Sequence, residues 1–214
     1  MIFFVSCGDY EYVRFETSQP DGTKESKSFS RKTKGEYISC SNPDDKLIVS
    51  DNLILNSRTF KFKSHRNDLE FDSTIIVDRD VDEELSQLFI REGYDIEIIG
   101  DTINASQINI DTVFQISDNQ VLKKFKGSYF LNFKEDESFW NVSRLNLTKD
   151  TLLIGQISPS DTLLRFDFVD KHEEFNESDS TTTTEYSINP SKKEFKKLVK
   201  PNSFDKCKCY YRKQ

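Results

Sequence analysis

Polar and apolar residues alternate along most of this chain with a period of two. The alternation is clearest in residues 59–63, 95–98, 107–110 and 164–168. Because successive side chains of a β-strand point to opposite faces, these stretches predict strands with one face in water. Antiparallel sheets tolerate a solvated face. The pattern therefore predicts a mainly β protein of the α+β class, in which antiparallel β-meanders form a curved sheet or barrel-like lobes.

Two short stretches have the periodicity of a helix instead. In residues 81–92 the apolar positions follow helical spacing, and Asp80 stands where an N-cap is expected. In residues 192–200 the apolar residues also share a face, and Ser191 and Glu194 have the spacing of a capping box. We expect two short amphipathic helices, each followed by a strand.

A short motif, K-x-K-G-x-Y, occurs twice in the chain, at residues 32–37 and 124–129. Each copy opens a half of the chain that also ends with one of the predicted helices and a strand. Self-similarity of this kind indicates a repeated unit. We therefore expect a duplicated module of β-meander, helix and strand, with residues 32–118 as the first copy and residues 119–214 as the second.

The chain begins with an apolar run that ends in a small residue and a cysteine, Met1-Ile2-Phe3-Phe4-Val5-Ser6-Cys7. A secretory signal needs an apolar segment and a small residue before its cleavage site. Residues 4–7 resemble the lipobox of bacterial lipoproteins of the Bacteroidetes type. Phe4 stands where Leu is usual, and most of the basic and apolar part of a signal is missing, which a start codon assigned too late would explain. The alternative is that residues 1–7 simply begin a strand.

This resemblance implies that residues 1–7 are the remnant of a signal and that Cys7 carries a diacylglycerol as the mature N-terminus. Several acyl chains together give stable membrane attachment. Residues 8–31 hold a first strand and a stretch rich in Ser, Lys, Gln and Gly, which we expect to be a tether. Residues 171–184 are equally polar, and we expect a long hairpin loop that runs into a strand.

Charge is distributed unevenly along the chain, whose formal net charge is −7. Residues 192–214 hold nine Lys or Arg against Glu194 and Asp205, which gives +7 and leaves −14 for the rest. The basic segment can serve an anionic partner such as lipid headgroups, or it can neutralise the acidic body, which is the interpretation we prefer here. An acidic chain of this kind argues against a nucleic-acid partner.

The sequence carries no recognisable catalytic chemistry. His65 and His172 are its only histidines, and no phosphate-binding loop, nucleophile elbow or metalloprotease helix is present. The acidic run at residues 78–84 lies where a helix N-terminus attracts carboxylates in any case. We expect no catalytic residue, no metal site and no cofactor. The aromatic residues Tyr129, Phe139 and Trp140 are expected in the core.

The remaining three cysteines allow one disulfide. Cys207 and Cys209 are two residues apart, which places both side chains on one face of a strand and lets either of them reach Cys40. One disulfide and one free thiol would fit an oxidising compartment. Three buried, reduced cysteines are the alternative.

These observations predict an exported, lipid-anchored, non-enzymatic lipoprotein of the cell envelope. It would sit on the outer membrane, at its periplasmic or surface face, and bind an unknown protein or small molecule. The alternative is a soluble cytoplasmic β domain that binds another protein, as an inhibitor or an immunity-type protein does.

Overall fold

The computed structural model describes residues 10–65, 87, 89–159, 163–176, 181–199, 204 and 206–213. Within these residues thirteen strands form one large mixed sheet that does not close on itself. The strands are β1 (Tyr10–Phe15), β2 (Gly35–Ser39), β3 (Asp45–Val49), β4 (Leu53–His65), β5 (Asp95–Ile99), β6 (Thr102–Gln115), β7 (Gln120–Phe125), β8 (Ser128–Lys134), β9 (Trp140–Thr148), β10 (Thr151–Gln156), β11 (Val169–Asn176), β12 (Thr181–Ile188) and β13 (Lys206–Arg212).

The predicted fold class, mainly β with short helices, is confirmed. Helix α1 covers Lys192–Leu198, and Ser191 and Glu194 form the predicted capping box. Helical residues are also described at Gln87 and at 89–91, inside the first predicted helix, while the rest of that helix lies outside the described residues.

The sheet follows one long path with a branch. The path runs β7-β8-β9-β10-β13-β2-β3-β4-β6-β5, with antiparallel pairing throughout. The branch leaves β9 where Phe15 of β1 pairs with Trp140, and continues through β12 to β11. Strands β1 and β12 are parallel, which departs from the expected all-antiparallel arrangement. Their long connection in sequence permits parallel pairing.

The strands β8, β9, β10 and β13 separate two hydrophobic cores. On the inner face of the curved sheet, Leu131, Leu145 and Leu152 pack with side chains of β2, β3, β4 and β6. On the outer face, Phe130 packs with α1 and the β1–β12 branch. Alternate residues of the same strands thus serve different cores, as the period of two requires.

Helix α1 packs over the outer face. Phe195 is fully buried, and its ring centroid lies 5.0 Å from that of Phe130 and 6.2 Å from that of Phe15. The guanidinium of Arg144 donates to the carbonyl oxygen of Val199 at 3.2 Å, so a cation meets the C-terminal end of the helix. These contacts fix α1 on the side of the sheet opposite the inner face.

Gly155 of β10 allows the chain after α1 to lie close to the outer face. A Cβ atom at this position would stand 2.8 Å from the carbonyl oxygen of Phe204 and 2.7 Å from Sγ of Cys207. Any larger residue would push this segment off the sheet.

Residues 16–31 pack along the body instead of extending from it as a tether would. The backbone N–H of Gln19 donates to the buried Asn132 side chain, whose amide donates to the Gln19 carbonyl at 3.0 Å. The ammonium of Lys123 donates to the carbonyl of Ser18 at 2.7 Å. Phe29 enters the inner core, 5.2 Å from the ring of Tyr129. The polar groups of this segment therefore form hydrogen bonds with buried partners as well as with water.

Two local expectations were wrong. Residues 164–168 do not form a strand; they lie in the 3-10 turn Leu163–Arg165 and the bend after it. Phe166 and Phe168, two of the apolar residues of the alternating pattern, stack on each other with their ring centroids 5.0 Å apart. Residues 171–176 and 181–184 are strand, in β11 and β12: the threonines of β12 favour extended structure whatever their polarity, and β11 pairs with β12 along its length.

The two halves of the chain begin alike and then differ in strand order. Gly35 begins β2 and Gly127 directly precedes β8, so each copy of the motif spans a turn and the start of a strand, and a three-strand meander follows, β2-β3-β4 or β8-β9-β10. After the meander β6 pairs with β4 and β5 with β6, whereas β11 and β12 pair with each other and join β9 through β1. The likeness therefore covers the first three strands, and the expected repeat of meander, helix and strand does not extend over each whole half.

Candidate functional site

The inner face of the sheet forms an open cup above its apolar floor. This cup has a volume of 380 Å³. Seven strands line it: β3, β4, β6, β8, β9, β10 and β13. Its lining residues are Leu47, Asn56, Arg58, Asp111, Val113, Phe133, Ser143, Ile154, Gln156, Lys208 and Tyr210.

Strand register explains the two zones of the cup. Along β10, Leu152 and Ile154 face inward near the floor, and the next inward residue, Gln156, reaches the rim. Gln156 pairs with Ser143 of β9, and its amide donates to the Ser143 hydroxyl at 3.4 Å. The inward rows of β9 and β10 therefore change from apolar to polar toward the same end of the sheet.

A polar group on β3 and β4 forms the other side of the rim. Arg58 donates to the Asp45 carboxylate at 3.3 Å, and the Asn56 amide contacts the other oxygen of the same carboxylate. Asn56 also stands opposite Asp111 of β6, just after the register shift at Ile54. The carboxylate of Asp45 thus holds Arg58 and Asn56 in fixed positions at the mouth.

Of the other polar side chains of the cup, Tyr210 is buried, whereas Lys208 and Asp111 are open to ligands. Burial, with the nearby charge of Asp45 adding to it, raises the pKa of the Tyr210 hydroxyl, so this group stays a neutral hydrogen-bonding partner at physiological pH. Lys208 and Asp111 are exposed, and neither takes part in an ion pair within the described part of the chain. The cup therefore offers one cation and one anion whose charges are not already paired there.

This arrangement suits binding. Concave sites with an apolar lining and a few convergent polar groups bind small molecules, and the volume lies within the range of about 300–1,000 Å³ usual for them. A larger hollow of 460 Å³ lies beside β5 and the ends of β4 and β6, lined by residues such as Lys61, Glu97 and Ser106. Among the described residues three strands line that hollow, against seven for the cup.

The structure brings two of the predicted site cysteines together. Cys40 and Cys209 form a disulfide with their Cα atoms 5.4 Å apart, which decides between the two pairings that the sequence left open. Cys207 is exposed and free, and its thiol donates to the carbonyl oxygen of Phe204 at 2.9 Å. Cys7 lies outside the described residues.

The other residues singled out by the sequence lie apart from the cup. His65 and His172 are exposed, on β4 and β11, and the acidic run at 78–84 lies outside the described residues. Tyr129 is buried in the inner core, whereas Phe139 is partly exposed under the guanidinium of Arg14, 4.3 Å from its ring centroid. Among the residues that the structure describes, no cluster of three or more His, Cys, Asp or Glu could hold a metal ion.

No family model, no curated protein and no solved structure matches this chain. In the part of the chain that the structure describes, every helix is too short or too polar to cross a membrane.

Proposed function

We propose that this chain is an exported, lipid-anchored binding protein of the cell envelope without enzymatic activity, and that the cup is its ligand site. The observation that carries this proposal is the cup itself. Its floor presents Leu47, Val113 and Ile154, and its rim presents Arg58 and Lys208. A small amphipathic ligand matches both zones, with its apolar part on the floor and its polar group at the rim.

The disulfide supports export over the cytoplasmic alternative. Disulfides persist in oxidising compartments and are rare in the cytosol. The bond between Cys40 and Cys209 joins β2 to β13, two strands in the middle of the sheet. Together with the lipobox-like residues 4–7, this bond favours a mature protein that is anchored at the envelope through Cys7.

The cup can be tested with an amphipathic dye, anilinonaphthalene sulfonate, whose fluorescence rises in apolar sites. We expect the folded protein to bind the dye and Gln156→Trp, which places a large ring at the mouth, to reduce the fluorescence several-fold. Lys208→Gln should weaken binding because it removes a cation that faces the sulfonate. Lys27→Gln, at an exposed lysine that lines neither the cup nor the hollow beside β5, is the matched control.

Thermal melting of each variant shows that the fold is intact. Equal dye binding by wild-type protein and Gln156→Trp, with unchanged melting, would place the dye elsewhere and remove the support for the cup as the ligand site.

The anchor can be tested separately in cells, with the gene expressed from its native locus together with its upstream DNA. We expect the wild-type protein in the membrane fraction, with an intact mass that shows an acylated Cys7 at the N-terminus. Cys7→Ser should move the protein to the soluble fraction, and Cys207→Ser, which removes the other unpaired thiol, should not. A soluble, unmodified wild-type chain would contradict lipid anchoring and favour the cytoplasmic alternative.

A further inference from the structure

Five exposed lysines gather on the outer side of the molecule, four on α1 and one in the turn between β7 and β8. We refer to them as the lysine cluster, which consists of Lys126, Lys192, Lys193, Lys196 and Lys197. The two parts of the cluster are more than sixty residues apart in sequence. The fold therefore adds one lysine to the four on the helix.

Aromatic packing holds the turn against the helix. The ring centroid of Phe125 lies 6.5 Å from that of Phe195, and the ammonium of Lys192 lies 5.9 Å from the Phe125 centroid. Lys126 and Lys196 are brought close enough for the charge of one to act on the other. Desolvation and the neighbouring charge of Lys196 lower the pKa of Lys126.

The lysine cluster has no paired counter-charge within the described residues. The ion pairs there include none of its five members. Glu194 is the one acidic residue of α1, and its carboxylate already accepts from the backbone N–H of Ser191 at 2.9 Å and from its hydroxyl at 2.6 Å. From residues 192–214, one ion pair to the acidic body is described, between Lys213 and Glu36. Direct neutralisation of the body, which the sequence favoured, therefore does not explain the cluster.

We propose that the lysine cluster docks this protein on the anionic surface of a lipid bilayer. All five residues are lysines, which carry point charges on flexible stems, in contrast to the planar fork by which Arg recognises one phosphate bidentately. Clusters of about four to eight basic residues on a helix attract anionic headgroups, and they suit many mobile charges better than one fixed ligand.

The position of the cluster is compatible with an accessible cup. Helix α1 lies on the outer face of β8, β9, β10 and β13, and the cup opens on the inner face of the same strands. A molecule that rests on a bilayer through α1 therefore leaves the cup turned toward solvent. The contact would orient the protein as well as hold it.

The test uses the full chain with Cys7→Ser, which cannot be acylated there, so its outcome does not depend on the proposed anchor. Protein is sedimented with vesicles of phosphatidylglycerol and phosphatidylcholine in equal parts, or of phosphatidylcholine alone. We expect binding to the anionic vesicles and its loss at about 1 M salt, where the Debye length is about 3 Å.

Substitutions locate the contact. The double variant Lys126→Gln, Lys196→Gln should weaken partitioning about 25-fold, since each lysine near an anionic surface contributes roughly a factor of five. Lys61→Gln, Lys63→Gln removes two exposed lysines of β4 and should change nothing, and thermal melting verifies the fold of both. Equal binding to both vesicle types, or no loss in the Lys126 and Lys196 variant, would overturn the proposal. So would binding to inorganic polyphosphate without binding to anionic vesicles.

Discussion

The two faces of β8, β9, β10 and β13 consist of alternate residues of the same strands, yet one face is covered by a helix and the other is open. On the outer face α1 covers Phe130 and buries Phe195 completely. On the inner face Phe29 covers only the floor, and the rim at Gln156 and Lys208 stays accessible. One face of such a sheet can therefore contribute to the stability of the fold while the other face binds a ligand.

This division has a local cause in each case. The outer face is covered because the capping box starts a helix directly after β12, and Phe195 then points at the sheet. The inner face stays open because its apolar rows end in polar residues before the strands do. Substitutions on the outer face should thus change folding, and substitutions at the rim should change binding alone.

The largest effect is expected for Phe195→Ala. The variant removes a fully buried ring that contacts Phe15 and Phe130, so the free energy of unfolding should fall by about 3–5 kcal/mol. Urea unfolding followed by circular dichroism measures this change. A loss below about 1 kcal/mol would show that α1 does not hold the outer face together.

The next largest effect concerns the disulfide. Cys40→Ser, Cys209→Ser removes a cross-link between residues separated by 169 positions, and we expect a loss of about 2–4 kcal/mol in the free energy of unfolding. Reduction of the wild-type protein should give the same shift in the urea midpoint. Cys207→Ser is the control, with a change within about 0.5 kcal/mol. A wild-type protein insensitive to reductant would contradict the expected contribution.

A smaller effect is expected for Ser191→Ala, which removes the N-cap of α1 and should cost about 1 kcal/mol. The hydrogen bonds from Ser191 lower the pKa of Glu194. This contribution is therefore complete above the ordinary pKa of a glutamate and is lost as the pH falls through the lowered value. Unfolding measured from neutral to acidic pH should show a weaker acid dependence in the variant. Ser138→Ala, at an exposed serine between β8 and β9, should leave the profile unchanged.

The smallest change in stability is expected at the rim. Gln156→Ala and Lys208→Gln should leave the free energy of unfolding within about 0.5 kcal/mol of wild type while both reduce dye fluorescence. If either variant unfolds more easily by more than 1 kcal/mol, the rim belongs to the structural core, and the division between the two faces does not hold.

Local patterns in the sequence predict much of the fold. Period-two alternation identifies the stretches 59–63, 95–98 and 107–110, which lie in β4, β5 and β6. The capping box identifies α1, because the spacing of Ser191 and Glu194 is itself the geometry of a helix start. Alternation misleads at 164–168, where stacked phenylalanines in a turn produce the same pattern.

The cup and the lysine cluster could not be predicted in the same way, because both depend on register between distant segments. Asn56 meets Asp111 at the rim only after the shift that follows Ile54 in the β4–β6 pairing. Lys126 meets Lys196 only because Phe125 packs against α1. Polar residues at the ends of inward-facing rows can be found in the sequence. That they converge on one cup cannot be predicted without the strand order.

The placement of β13 has a consequence for how the molecule assembles. This strand lies between β10 and β2, and it provides the pairing that joins the meander of β2, β3, β4 and β6 to the meander of β7, β8, β9 and β10. Each meander can pair internally as it leaves the ribosome, since its neighbouring strands are close in sequence. Their union through β13 must wait until residues 206–212 have been synthesised. A chain shortened before β13 would carry two half-sheets with exposed edges, so the sheet can be completed only once this strand is available.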